Sequence, residues 1–196
     1  MTVPTAMHID LGHVLRGTVC ELYSNLVTRP TGVAVRTAIE RQVREAEGPV
    51  VTTIDFSQVQ LLDFSCADEI VAKLLLLAQR DDAPVGFLTF RGLQDGHLDP
   101  IETVLERHAL ALVSWHEGEA ELFGAVTEAE RRCWEAVRRH GPVTVMQLAQ
   151  HLESSATALT RELSQLVQRR LIMERESWYS VPGAVGESPR RPRSVS

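Results

Sequence analysis

The stretch Val50-Val51-Thr52-Thr53-Ile54-Asp55-Phe56-Ser57, followed by Leu61-Leu62-Asp63-Phe64-Ser65-Cys66-Ala67-Asp68-Glu69-Ile70, governs how the chain is read. Val50 to Ile54 is a short β-branched run with almost no polar alternation, the pattern of a strand covered on both faces. A short connection leads to a helix expected over Cys66 to Gln79, with Ile70, Leu74, Leu77 and Ala78 on one face. Asp81-Asp82-Ala83-Pro84 breaks it. Val85 to Phe90 then reads as the next strand. Strand, crossover helix and strand place the region in the α/β class.

Upstream, Pro30 suits the first turn of a helix, and Val35, Ala38, Ile39, Val43 and Ala46 recur at spacings of three and four until Gly48-Pro49. Downstream, Asp99-Pro100-Ile101-Glu102 predicts a helix start, with Asp99 as cap and Pro100 at the first position. Ile101, Val104, Leu105 and His108 form its inner stripe. Ala109 to Trp115 returns as a strand. Residues 1–124 therefore read as one α/β domain with a mostly parallel or mixed sheet and helices.

Past Gly124 the pattern becomes helical. Thr127-Glu128-Ala129-Glu130 has capping-box spacing, and Ala129, Cys133, Trp134 and Val137 form a face that ends near His140-Gly141-Pro142. Thr144 caps a short helix with Val145, Leu148, Ala149 and Leu152 inward. Glu153-Ser154-Ser155 turns into a longer helix that carries Leu159, Leu163, Leu166 and Val167 on its buried side. Leu171-Ile172-Met173 and Trp178 to Val181 flank a hairpin turn. Helix, helix, turn, helix, hairpin within residues 125–183 is the layout of a winged helix-turn-helix. Residues 184–196, with three arginines among prolines and serines, read as a disordered basic tail.

The charge divides with the pattern. The 196 residues carry 20 Lys+Arg and 26 Asp+Glu, net −6. Residues 1–124 hold 9 basic and 18 acidic groups, whereas residues 125–196 hold 11 and 8. Of the latter, 8 and 7 fall in residues 125–183, so that segment has a net charge of only +1. An acidic total excludes a protein whose whole surface grips nucleic acid. The longest apolar run, Ile70 to Ala78, is interrupted by Lys73 and falls far short of the ~20 residues of a membrane span, so a cytoplasmic location and no membrane partner are expected.

Chemistry-bearing spacings are few. Cys20, Cys66 and Cys133 form no Cys-x-x-Cys pair, and the seven histidines show no metal-binding spacing; no metal and no cofactor are expected. Asp63, Asp68 and Glu69 are better explained by the acid preference of helix starts than by a metal cluster. Arg29 and Arg36 either bind an anion or pair with Glu40 and its neighbours. No set of nucleophile, base and orienting group can be assembled, so there are no catalytic residues and an enzyme is not expected.

Two resemblances give these patterns a functional meaning. The threonine cap, the Leu148-Ala149 pair, the Ser154-Ser155-Ala156-Thr157 entry, Glu162-Leu163 with Leu166, and Leu171-Ile172 with its hairpin resemble winged-helix transcription regulators of the MarR and ArsR families. Glu153 and Arg170 stand where glycine is common in those families, and the metal-sensing cysteine pairs of the ArsR type are missing. Burying Leu159, Leu163 and Val167 turns Thr157, Thr160, Arg161, Ser164 and Gln168 outward, able to enter a major groove, with Arg175 in the wing. Double-stranded DNA is the partner this implies.

The strand ending in Asp55-Phe56 and the Asp63-x-Ser65 helix start resemble the STAS domain of anti-sigma-factor antagonists. The STAS-like domain of unknown function is closer still, through Ala67-Asp68-Glu69, Arg29-Pro30-Thr31-Gly32 and Arg36. The serine matched by Ser65 is phosphorylated in anti-sigma antagonists by a kinase-type anti-sigma partner. The resemblance thus implies Ser65, Asp63, Asp68 and Asp55 as a modification or docking site. From the residues alone, Ser65 is equally an N-cap with Asp68 at the third helical position. The expected protein is a homodimeric transcriptional regulator in which a STAS-like partner-docking or sensing domain controls a DNA-binding domain. The competing expectation is an anti-sigma-antagonist-like adaptor that binds protein only.

Overall fold

Five strands form the central sheet of the computed structural model, which describes residues 5–19, 24–46, 50–80 and 86–183. They are β1 (Thr5–Asp10), β3 (Val50–Asp55), β5 (Phe87–Arg91), β6 (Ala111–His116) and β7 (Glu119–Gly124), side by side in that order. The first four are parallel, and β7 returns antiparallel to β6 through Glu117 and Gly118, both at positive φ. Between them in sequence, β2 (Asn25–Leu26) and β4 (Leu61–Leu62) make a separate two-residue parallel ladder. The chain is α/β with a mixed sheet.

Because the spatial order rises steadily with the sequence, each right-handed crossover steps in the same direction and leaves its helix on the same face. That face carries α1 (Leu11–Thr18), α2 (Arg29–Glu45), α3 (Phe64–Ala67), a π-helical turn (Asp68–Ala72), α4 (Lys73–Ala78) and α5 (Asp95–Arg107). Ile9, Ile54, Leu88, Phe90 and Leu112 from the strands pack there against Leu15, Ile39, Ile70, Leu74 and Val104.

The remaining elements are α6 (Glu128–His140), β8 (Val143–Thr144), α7 (Val145–His151), α8 (Ala156–Gln168), β9 (Met173–Arg175) and β10 (Trp178–Ser180). The three strands form a small antiparallel sheet in the order β8-β10-β9. This unit packs on the opposite face of the central sheet, at its β6–β7 end. Ala111, Val113, Ala120 and Leu122 share one core with Trp134, Val137, Leu163 and Ile172. Trp115 Nε1 donates to Pro182 O at 3.0 Å across the same junction.

Several local expectations need correction. The helix expected from Cys66 starts at Phe64, because Asp63 rather than Ser65 is its cap: Asp63 Oδ1 accepts from the Cys66 amide at 2.8 Å. Ser65 Oγ donates to the same oxygen at 2.9 Å. Asp99 does not cap α5. The cap is Gln94 and the helix begins at Asp95, five residues before the expected start at Pro100, which lies inside it; the Gln94 amide donates to His97 Nδ1 at 3.2 Å. His97 is wholly buried beneath Phe56, which draws the first turn of α5 onto the sheet in spite of the proline. Ala129 is exposed, and the inner face of α6 is formed by Glu130, Cys133, Trp134, Ala136 and Val137. The expected breaker Asp81–Pro84 and the tail 184–196 lie outside the described residues.

Candidate functional site

Two constellations were expected, and the structure treats them differently. The first is centred on the π-helical turn. A π turn widens the helix by one residue and here brings two successive carboxylates, Asp68 and Glu69, into the interior, with relative exposures of 7% and 1%. Arg29, in the first turn of α2, donates to Asp68 Oδ2 at 3.0 Å and Glu69 Oε1 at 2.5 Å. His108 Nε2 lies 2.8 Å from Asp68 Oδ1, and Lys73 Nζ donates to Glu69 Oε1 at 2.6 Å. Arg36 bridges Glu69 and Glu40.

Burial by itself would raise both carboxyls. Hydrogen bonds from His108 and Arg29 to Asp68, and from Lys73 and Arg29 to Glu69, outweigh it and hold both below the ordinary carboxylate range. Every oxygen of the pair is occupied by a basic partner. Among the described residues, no group of three or more His, Cys, Asp or Glu side chains is placed to hold a metal.

Gly32 explains how the cationic and anionic elements come so close. A Cβ at this position would lie 3.0 Å from Glu69 Cβ and 3.1 Å from Cys66 Cα, so a side chain here would have to push α2 and the turn apart by a few tenths of an ångström. Cys66 is buried beside it and donates to Thr28 O at 3.0 Å. Desolvation, then the Asp63 carboxylate, pushes its thiol up to about 12, which leaves no thiolate nucleophile at neutral pH. Asp55 stands apart, at the end of β3. Its carboxylate accepts from the Ser57 amide at 2.8 Å and from Arg91 Nε at 2.8 Å, with His8 Nε2 at 3.0 Å. It forms no contact with Asp63 or Ser65. Of the four residues expected at the docking site, Asp63 and Ser65 share a side-chain hydrogen bond, and the Asp68 amide donates to Ser65 O in the helix.

The second constellation is α8. Ser155 caps it by accepting from the Ala158 amide at 3.2 Å. Leu159, Leu163 and Leu166 are buried, and Thr157, Thr160, Arg161, Ser164 and Gln168 are all exposed on the other side. The Thr160 and Ser164 hydroxyls donate to the carbonyls four residues back, at 2.8 Å each, and keep their acceptor lone pairs toward solvent. The Arg161 side chain is 76% exposed and lies 2.7 Å from Glu162 Oε1. Arg175 is exposed on β9, beside the tight turn at Glu176 and Ser177, both at positive φ. Glu153 and Arg170 take positive φ without being glycine.

Arg169 and Arg170, which follow α8, do not face outward with Arg161. Arg169 pairs with Glu130 at 3.2 Å and donates to Ala125 O; Arg170 Nε donates to Ala78 O at 3.3 Å, with its guanidinium 5.7 Å over the Phe87 ring. Arg170 clamps the end of α8 to the α/β unit, and Arg169 ties it to α6 and to the segment after β7. Trp134 is likewise unavailable as a dimer contact, since it is buried and its indole donates to Leu171 O at 3.1 Å. Sequence reasoning missed Met146, 62% exposed on α7 next to Gln147. Its signal was present: an apolar residue off the Val145, Leu148, Ala149, Leu152 stripe.

A scan against protein-family models and a search of curated proteins return no match to this chain. Among the described residues no helix is long and apolar enough to cross a membrane.

Proposed function

We propose that the protein is a transcriptional regulator. In this reading residues 125–183 are a winged helix-turn-helix that binds double-stranded DNA through α8 and the β9–β10 wing, under the control of a STAS-like α/β domain. The observation that carries it is the outward face of α8, where Thr157, Thr160, Arg161, Ser164 and Gln168 are all solvent-exposed beside a hairpin that presents Arg175. Short hydroxyls, an amide and an arginine on one helix face form a donor and acceptor set that can address base edges and phosphates.

Control by the first domain has a physical route. The element that opens at Asp63 and Ser65 runs through the π turn to Ala78, whose carbonyl receives the Arg170 guanidinium at the end of α8. A phosphate on Ser65, added by a kinase-type partner, would place about −1.5 to −2 charges against the Asp63 carboxylate that caps this element. Loss of that cap would loosen the element at the end opposite Ala78, and docking of the partner would read the same change. The protein is expected to act as a cytoplasmic homodimer on a two-fold site.

A protein-binding adaptor without DNA affinity is the second reading. It is favoured by the use of Arg169 and Arg170 inside the molecule, which leaves Arg161 and Arg175 as the cations of this face. One experiment separates the two: selection of bound sequences from random duplexes by the full-length chain, followed by anisotropy titrations at several salt concentrations. The regulator predicts a selected site, a salt-dependent affinity and a loss on Arg161→Ala. No selected site, and no effect of Arg161→Ala, assigns the adaptor. Mass spectrometry of Ser65 in protein purified from its source, together with partner affinity of Ser65→Asp, tests the switch.

A further inference from the structure

The junction between the central sheet and the C-terminal unit is packed at its centre and hollow at one end. Where the β6–β7 hairpin meets the last turn of α6 and the end of β10, the described residues leave a cleft of about 170 Å³. Its walls are apolar: Trp115 and Ala120, opposite one another in the β6–β7 register, with Val137 from α6 and Val181 after β10. Gly118 and Gly141 line it as well, and a Cβ on either would meet no atom within 4 Å, so the space beside them is open. The Trp115 wall is fixed in place, because its indole donates to Pro182 O at 3.0 Å. A cavity of ~150 Å³ accepts a benzene ring, so this cleft can take an apolar body of about six carbons.

One charged pair belongs to this apolar lining. Arg138, next to Val137 in the last turn of α6, donates to Glu119 Oε2 at 2.6 Å, and both residues line the cleft. The partners are unequal: the Arg138 side chain is 31% exposed and the Glu119 side chain 75%. Glu119 meets the guanidinium from the solvent side, and an exposed carboxylate gives up such a pair at little cost. A carboxylate carried by a body seated in the cleft makes the same charge-assisted bond and also removes apolar surface from water. Ser180 adds a hydroxyl to the lining. A phosphate dianion suits the cleft less well, since Glu119 stands beside the one cation of the lining.

We propose that this cleft binds a small monocarboxylate with a compact apolar body. The ligand carboxylate takes Arg138 from Glu119, and the body packs between Trp115, Ala120, Val137 and Val181. Glu119 is the internal stand-in for the ligand's head group and competes with it for the same guanidinium. The site is built from both units, and it stands independently of whether α8 binds DNA.

Titration of the full-length chain with cyclohexanecarboxylate, followed by NMR at the Trp115 indole resonance, tests the site. A saturable shift with a Kd on the order of 1 mM is expected for a ligand of about nine non-hydrogen atoms. Acetate has the charge without the body, and cyclohexanecarboxamide the body without the charge; each should bind at least about tenfold more weakly. Arg138→Gln should weaken binding about tenfold. Glu119→Gln should tighten it about threefold, because the competing carboxylate is gone and the guanidinium remains. Both substitutions lie outside the buried core, so the fold persists in either variant. The proposal is overturned by the absence of a saturable shift up to roughly 10 mM, about ten times the expected constant. Affinity unchanged by Arg138→Gln, weakened by Glu119→Gln, or matched by acetate overturns it equally.

Discussion

Glu69 and Arg161 are both charged residues in the first half of a helical segment, and their surroundings put them to opposite uses. Glu69 is 1% exposed and meets Arg29, Arg36 and Lys73; Arg161 is three-quarters exposed and meets one neighbouring carboxylate. A buried charge with all its partners inside the molecule holds elements together, and removing Glu69 takes the carboxylate from Lys73 and leaves Arg29 with Asp68 and Arg36 with Glu40 as their remaining partners. An exposed charge with a single partner can exchange that partner at little cost, because pairs at the surface are worth about 0–1 kcal/mol. The first constellation is built to stay, and the second is free to engage something else.

Substitutions should separate the two regions in stability and in binding. The largest effect is expected for Glu69→Ala, about 3 kcal/mol of destabilisation by urea denaturation and a Tm lower by roughly 6–12 °C. A change below 1 kcal/mol would show that the cluster is as replaceable as a surface pair. Acid should act through the same groups. Asp68 and Glu69 are held below their ordinary values of 3.8 and 4.5, so their contribution is fully present above those values and is lost as pH falls through the folded ones. Stability measured from pH 6 to 3 should drop most steeply below about pH 4.5, and Asp68→Asn with Glu69→Gln should flatten that limb.

Arg161→Ala should leave stability within about 0.5 kcal/mol and weaken duplex affinity about tenfold, equivalent to ~1.4 kcal/mol. The reverse outcome would place Arg161 among the structural charges. Ser155→Ala, which removes the α8 cap, should cost about 1 kcal/mol without altering the salt slope of binding. The smallest effect concerns thiols: with raised values of about 12 and 11, Cys66 and Cys133 should resist iodoacetamide at pH 8 until the chain is unfolded.

What the sequence makes legible are the local signals. The capping box at Thr127 is formed, Thr144 caps its helix, the β-branched run at Val50 is an inner strand of the sheet between β1 and β5, and the residues expected to face outward on α8 do so. What it hides are the decisions taken by tertiary contacts. Pro100 reads as a helix start, yet burial of His97 carries the helix past it. Ser65 and Asp63 are both acceptable caps, and the choice falls to Asp63 because its carboxylate receives the Cys66 amide and the Ser65 hydroxyl together. The π turn leaves no mark in a periodicity count, since Asp68 and Glu69 look like ordinary acids near a helix start. The aim of Arg169 and Arg170 depends on Glu130, Ala125 and Ala78, which only the packing of the second unit brings within reach.

A nascent chain meets this architecture in order. When Gly124 leaves the ribosome, all five strands and their helices exist, but Ala111, Val113, Ala120 and Leu122 have nothing to cover them. The cover is about 60 residues away, several seconds at roughly 5–20 residues per second. During that interval the product is a sheet with an oily underside, a natural client for a chaperone. A stop codon anywhere between Gly124 and Val181 would make that state permanent. Truncated products of this gene are therefore expected to be cleared by proteolysis rather than to survive as free-standing α/β domains.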